Sequence, residues 1–185
     1  MKRGLTCSIS VAVLLIATAT WVSAATMYDI DRSWGVYSKA KGKVSKLGSD
    51  HSEGVGSVTI TANSPSSGSF HYIDARGYDY TGSVTLSPDG KKLAMQLNGP
   101  GRTEFENMMA DWIEDAALWE GLCLDVTEFI YDKQDIVISP VKISKKTNAP
   151  IKGNVSAKGT VWAELCTGGL ISGNFSFKST ITFLP

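Results

Sequence analysis

Histidine is scarce in this sequence, since His51 and His71 are the only two in 185 residues. No second cluster of potential ligands with metal-site spacing accompanies either of them. A catalytic serine in a G-x-S-x-G elbow, a glycine-rich phosphate loop and a dinucleotide fingerprint are also missing. These absences argue against a metal centre, a nucleotide cofactor and a nucleophilic hydrolase. We therefore expect a protein that is not an enzyme and uses no cofactor.

His51 lies in a polar segment, Asp50-His51-Ser52-Glu53, that has two interpretations. The mixture of carboxylates and imidazole could bind a divalent cation weakly. The other interpretation is a charged hairpin loop over residues 48–54, closing a first strand that begins at Trp34 and ends at Leu47. We favour the loop, and we predict no metal site.

Blocks of like charge are absent as well, in a chain with 18 basic and 18 acidic residues. Lys39, Lys41, Lys43 and Lys46 fall at mostly alternate positions of the predicted first strand, which is typical of a solvated outer face. Nothing in this distribution resembles the basic footprint of a nucleic-acid-binding protein. We expect no nucleic-acid partner.

The first 24 residues have the organisation of a secretory signal peptide. Lys2 and Arg3 supply the positive end, residues 9–20 are apolar, and Val22-Ser23-Ala24 matches a cleavage site. A retained membrane anchor is the alternative, but the apolar run is too short to span a bilayer comfortably. The sequence therefore predicts a signal peptide over 1–24, one domain over 25–185, and a periplasmic or extracellular protein that does not span a membrane after cleavage.

Most of the remaining chain alternates between apolar and polar residues, as strands with one buried face do. The clearest case is Gly169 to Leu184, where Ile171, Phe175 and Phe177 share one parity. About nine such segments are joined by short turns, which favours antiparallel neighbours. We predict an all-β fold, an antiparallel meander barrel or sandwich of about eight to nine strands, with the barrel favoured. At Pro140 the parity switches, which indicates a bulge or an edge strand.

One segment has the period of a helix instead. Its apolar stripe comprises Phe105, Met108, Met109, Trp112, Ile113 and Ala116. Thr103 and Glu106 have the spacing of a capping box, so we predict an amphipathic helix near 103–117. Acidic residues cover its other faces. The helix could lie over a barrel mouth as a lid or simply cap the core, and we favour the cap.

Two cysteines remain after residue 24, Cys123 and Cys166. An exported protein with such a pair is expected to form a disulfide. In a simple meander, however, their two strands would run in the same direction and hold the sulfurs at opposite ends. Either the topology is more complicated, or the thiols stay free.

Aromatic residues give the best indication of function. Trp34 opens the first strand, Met109 and Trp112 lie on the helix stripe, and Trp162 has the polar parity of its strand. Small barrels line ligand cavities with such residues, so we predict these four as ligand-binding. The alternative is that they fill the core, except for Trp162, whose parity predicts an exposed contact surface.

A tryptophan at the start of the first strand, a meander of antiparallel strands and one amphipathic helix together resemble a lipocalin-like (calycin-type) secreted barrel. The resemblance implies an exported protein that binds an apolar or amphipathic small molecule.

Two other hypotheses stay open. One is an envelope or extracellular interaction protein that binds a protein partner and no small ligand; an interior that is filled rather than hollow would favour it. The other is a small outer-membrane barrel. The acidic helix in mid-chain and several strands of only four to six residues argue against that second alternative.

Overall fold

Antiparallel strands make up most of the computed structural model, which describes residues 24–45 and 48–185. The predicted signal peptide lies outside these residues except for Ala24. The elements are β1 (Arg32–Val44), β2 (Gly48–Ala62), β3 (Ser67–Ile73), β4 (Asp79–Leu86), β5 (Lys92–Leu97), α1 (Gly99–Trp119), β6 (Leu124–Tyr131), β7 (Val137–Ile143), β8 (Pro150–Leu165) and β9 (Leu170–Phe183).

Eight of the strands close into a barrel in the order β8-β7-β5-β4-β3-β2-β1-β9, with β9 pairing back onto β8. All of these neighbours are antiparallel. The predicted fold class is thereby confirmed as a closed barrel and not a sandwich, with the helix after the fifth strand. The ninth strand, β6, is additional, since it pairs with β8 outside the closed circuit.

Side-chain alternation explains why these segments form a barrel. In β9, Phe175, Phe177 and Ile181 are buried while Asn174 and Lys178 are exposed. Burying one face of every strand against the others removes the apolar surface from water. The predicted irregularity at Pro140 is also confirmed, because β7 changes burial parity there and its register with β5 shifts.

The first end of the barrel is closed by the segment before β1. Met27 and Ile30 are fully buried, and the Trp34 indole N–H donates to the Ile30 carbonyl at 3.2 Å. The guanidinium of Arg32 lies 3.9 Å from the centre of the Trp34 ring, a cation–π contact. Trp34 therefore holds the segment before β1 against the barrel wall.

The opposite end is covered by α1. The helix begins at Gly99 because the Asn98 side chain accepts a hydrogen bond from the Gly101 N–H at 2.9 Å. Pro100 fits the first turn, where its missing N–H costs nothing. The predicted helix is confirmed, but the predicted cap is wrong: Thr103 lies inside the helix and donates to the Gly99 carbonyl.

The helix lies close to the barrel backbone because two glycines leave room for it. A Cβ on Gly42 of β1 would overlap the ring of Trp112. A Cβ on Gly101 would collide with the backbone of Thr81 in β4. These approaches place Met109, Trp112 and Ile113 in the core.

The polar segment at 48–54 differs from its prediction, since it forms the first half of β2 and not a loop. Its residues pair one to one with β1, with Asp50 opposite Gly42, Ser52 opposite Ala40 and Glu53 opposite Lys39. Asp50 also accepts the indole N–H of Trp112. Cross-strand and helix contacts therefore hold as a strand a segment whose composition is typical of a turn.

Cys123 and Cys166 form a disulfide, with their Cα atoms 5.4 Å apart. The pairing is possible because β6 leaves the meander and runs antiparallel to β8, placing Leu124 opposite Leu165. The predicted pair is confirmed, through the more complicated of the two topologies.

Candidate functional site

The four predicted ligand-binding residues lie in three separate places. Trp34 is buried at the end closed by the amino-terminal segment. Met109 and Trp112 are buried together on the inner face of the helix at the other end. The Trp112 ring lies over Gly42, which is about 26 Å along β1 from Trp34 at 3.3 Å per residue. Trp112 packs edge-to-face on Phe177, with ring centroids 5.9 Å apart.

Trp162 lies on the outer face of β8, opposite Glu128 of β6 and Ser172 of β9. It is half-buried, so its outward direction follows the predicted parity while its exposure is only partial. The ligand-binding role of these four residues stays a prediction.

A small cavity of about 60 Å³ lies inside the barrel, between the inner face of the helix and the strands. Its apolar wall includes Phe105, Phe177 and Ile181, and Asp74 and Arg76 lie at its polar side. Pockets that hold drug-sized ligands measure about 300–1,000 Å³. The lumen is therefore largely filled by side chains.

Two stacked tyrosines line this cavity, Tyr72 and Tyr80, with ring centroids 5.4 Å apart. The Tyr80 hydroxyl donates to the Asp74 carboxylate at 3.1 Å. Burial raises the pKa of Tyr72 to about 12. Burial and the neighbouring Asp74 charge raise the pKa of Tyr80 as well. Both phenols stay neutral under ordinary conditions.

These raised pKa values predict a loss of stability in alkali. Above pH 10 the unfolded chain releases the two phenolic protons, whereas the folded chain retains them to higher pH. The free energy of unfolding should therefore fall as pH rises from 10 to 12, by up to about 1.4 kcal/mol per pH unit for each tyrosine. Urea titrations at pH 9, 10 and 11 measure the slope.

The variant Tyr72→Phe with Tyr80→Phe serves as the control, because it removes these two phenols and leaves Tyr78 and Tyr131, whose pKa values are also raised by burial. Its unfolding free energy should depend less on pH over the same interval. A wild-type free energy that is flat from pH 9 to 11 would contradict the burial of these phenols.

A larger concavity, of about 540 Å³, lies on the outer wall of the barrel. We call it the outer groove. It crosses β2, β1, β9, β8 and β7 at one level, which corresponds to about 19 Å at ~4.8 Å per strand spacing. Its outward-facing lining side chains are Lys39, Lys41, His51, Glu53, Val137, Ser139, Asn154, Ser156, Lys178 and Thr180.

The charges in the outer groove are only partly balanced. Lys39 and Glu53 form an ion pair at 2.8 Å, and this hydrogen bond lowers the pKa of Glu53. Lys41 and Lys178 are directly opposite each other on β1 and β9. Neither has an ion-pair partner within residues 24–45 and 48–185. Like charges that face each other across a ladder destabilise it, so a bound anion would relieve this repulsion.

Sequence reasoning identified two of the lysines that line this groove, Lys39 and Lys41. The alternation of Lys39, Lys41 and Lys43 predicted a solvated outer face, which is confirmed for these three residues; Lys46 lies outside the described residues. It missed the pairing of Lys41 with Lys178, which is 137 positions away and becomes its neighbour only through the β1–β9 register.

In the described part of the chain, three potential metal ligands nowhere come together in a cluster. None of its helices combines the length and apolar character needed to cross a bilayer. The fold defines a closed eight-stranded antiparallel barrel with one added strand, an architecture compatible with a lipocalin-like barrel. No family model matches the chain, and no curated protein is significantly similar to it in sequence.

Proposed function

We propose that this protein is an exported, non-catalytic binding protein that holds an anionic ligand in the outer groove. The main observation that supports this proposal is that Lys41 and Lys178 face each other without acidic partners in a concavity of about 540 Å³. The lumen, with about 60 Å³, is far smaller. The signal-like residues 1–24 and the Cys123–Cys166 disulfide support export.

The shape and the donors of the groove indicate the class of ligand. Its polar lining includes the Asn154 amide and the Ser156 hydroxyl beside the two lysines, while the Thr180 hydroxyl already donates to the Asn154 side-chain oxygen at 3.0 Å. Ammonium and hydroxyl donors bind phosphate, sulfate and carboxylate oxygens through charge-assisted hydrogen bonds. A groove of about 19 Å fits an extended chain that carries several such groups.

An apolar ligand in the lumen has less support. A cavity of about 60 Å³ would have to grow severalfold to enclose one. That growth requires α1 to move away from the barrel. The buried side chains of Phe105, Met109 and Trp112 hold the helix in place.

The proposal predicts that two lysines determine affinity. Inorganic tripolyphosphate and trigalacturonate, titrated by calorimetry at low salt, are the probes for a phosphate and a carboxylate ligand. The variant Lys41→Gln with Lys178→Gln should weaken binding of the preferred probe by about tenfold or more, since each removes a charged hydrogen bond. Added salt should weaken binding in the wild type.

A second lysine pair supplies the matched control. Lys92 and Lys142 also face each other across two strands, β5 and β7, and are exposed, but they do not line the groove. Lys92→Gln with Lys142→Gln should leave affinity within about twofold of the wild type. Equal losses in both double variants, or no binding of either anion, would contradict the proposal. Saturable binding of a fluorescent fatty acid instead would move the site to the lumen.

A further inference from the structure

The carboxyl-terminal end of α1 carries large apolar side chains in solvent. Trp119 is 91% exposed, Leu118 is 69% exposed and Leu122 is 39% exposed. We call these three residues the helix-end patch. Barrel packing cannot explain them, because the opposite face of the same helix already supplies the buried residues.

The helix-end patch is held rigidly. The Leu122 N–H donates to the Ala117 carbonyl at 2.9 Å, which closes the turn after the helix. Cys123 follows at once and is bonded to Cys166 at the start of the β8–β9 turn. A preordered apolar surface loses little conformational entropy on binding, so it is well suited to recognition.

An apolar concavity adjoins the patch. It has a volume of about 240 Å³, and its walls include Ile113, Leu122, Leu165 and Ile171. A side chain of leucine or phenylalanine size fits such a space. Leu122 belongs both to the concavity and to the patch, so the two form a continuous apolar surface.

The chain segment that contains the helix-end patch carries charge of one sign. Residues 103–132 contain no lysine, arginine or histidine, and they carry nine acidic residues: Glu104, Glu106, Asp111, Glu114, Asp115, Glu120, Asp125, Glu128 and Asp132. Asp115 is one turn before Trp119 on the helix surface, and Glu120 directly follows it. The patch therefore has an acidic rim.

The helix dipole adds to this negative potential. The carboxyl-terminal end of a helix is partially negative and is normally stabilised by a cation. The last turn of α1 contains no basic residue, and its C-cap is Glu120. Cations supplied from outside would balance a charge that the described chain leaves uncompensated.

We propose that the helix-end patch binds a protein segment that presents apolar side chains flanked by lysine or arginine. The apolar anchor enters the concavity beside Trp119, and the basic residues meet Asp115, Glu120 and the helix carboxyl terminus. An anionic lipid surface would be repelled by the same acidic residues. A symmetric dimer would bring two acidic rims together.

A peptide selection tests this proposal without knowledge of the natural partner. A random twelve-residue library displayed on phage is selected against the mature chain. We expect the enriched peptides to combine apolar residues with flanking lysine or arginine. The dissociation constant of the best peptide should rise about 30-fold with Trp119→Ala, since exposed tryptophans of this kind act as hot spots. It should rise about fivefold with Asp115→Asn plus Glu120→Gln.

Two controls separate binding from folding. Tyr28→Ala removes another exposed aromatic, 59% exposed and remote in sequence from the helix, and should not change the affinity. Trp119→Ala should keep the wild-type melting temperature, because its side chain touches little of the protein. Enriched peptides that lack basic residues, or that bind Trp119→Ala equally well, would overturn the proposal.

Two other partners of the helix-end patch, a membrane and a second copy of the chain, would give different results. Wild-type protein that binds phosphatidylglycerol vesicles through Trp119 would assign the patch to a membrane. A dimer seen by analytical ultracentrifugation and dissolved by Trp119→Ala would assign it to a second copy of the chain. Each of these outcomes would replace the cationic segment as the partner.

Discussion

Replacing Trp112 by alanine should lower the free energy of unfolding by about 3–5 kcal/mol, the range for removing a large aromatic from a core. The side chain is only 5% exposed, and its indole N–H donates to Asp50 on β2. Its ring also packs against Phe177 of β9 and over Gly42 of β1. One side chain thus connects the helix to three strands. Urea denaturation followed by circular dichroism measures the loss.

The same helix provides the control, since Trp119→Ala makes the identical chemical change at a site that is 91% exposed. Surface substitutions of this kind usually change stability by less than about 0.5 kcal/mol. A similar loss in both variants would mean that Trp112 is not seated on the barrel as described.

Gly42 allows a sharper version of this experiment. Gly42→Leu alone should destabilise the protein, because the new side chain overlaps the Trp112 ring. Combined with Trp112→Ala, the leucine occupies the space that the indole has left. The double variant should therefore lose less stability than the sum of the two single variants, and simple additivity would contradict the contact.

Removing the disulfide is the second change with a large expected effect. The bond closes a loop between residues 43 positions apart, for which chain entropy gives about 4 kcal/mol and typical measurements give about 2–4 kcal/mol. Cys123→Ser with Cys166→Ser should lower the free energy of unfolding by that amount. Hydrogen exchange should accelerate first in β6, because only one barrel strand, β8, pairs with it.

Reduction of the wild type provides the control for this prediction. A reducing agent should lower the melting temperature of the wild type and leave the double serine variant unchanged. Equal unfolding free energies for the oxidised wild type and the variant would show that the bond does not constrain the unfolded chain.

The local pattern of apolar residues was sufficient to predict a strand or helix wherever one face of that element is buried. The alternation over Gly169 to Leu184 predicted β9 within one residue at each end. The apolar stripe from Phe105 to Ala116 predicted the inner face of α1, except that the buried alanine is Ala117 and not Ala116. Burial of a periodic apolar face dominates the energetics of such elements, and periodicity is written in neighbouring residues.

The polar segment of β2 could not be predicted in this way. Residues 48–54 contain two glycines, two serines and three charged or titratable side chains, a composition typical of turns. They form a strand because they pair one to one with β1 and because Asp50 accepts from Trp112. Trp112 is 62 positions from Asp50, so no local window contains this contact.

The start of the helix shows the same limit at shorter range. Asn98, Gly99 and Pro100 are typical of a break, and Thr103 with Glu106 has the spacing of a capping box. The Asn98 side chain caps the Gly101 N–H instead, and Gly101 is small enough to approach Thr81. The packing of the first helical turn on β4 therefore decided the position of the cap.

By itself, the sequence determined an all-β antiparallel fold, one amphipathic helix and a pair of cysteines available for a bond, because each depends on residue type and short-range period. Tertiary structure decided that β6 pairs with β8 and so joins Cys123 to Cys166. It also decided that Lys41 faces Lys178 and that the lumen is filled. These features depend on strand register and on side-chain volumes summed across the barrel, which are properties of the closed sheet and of no single segment.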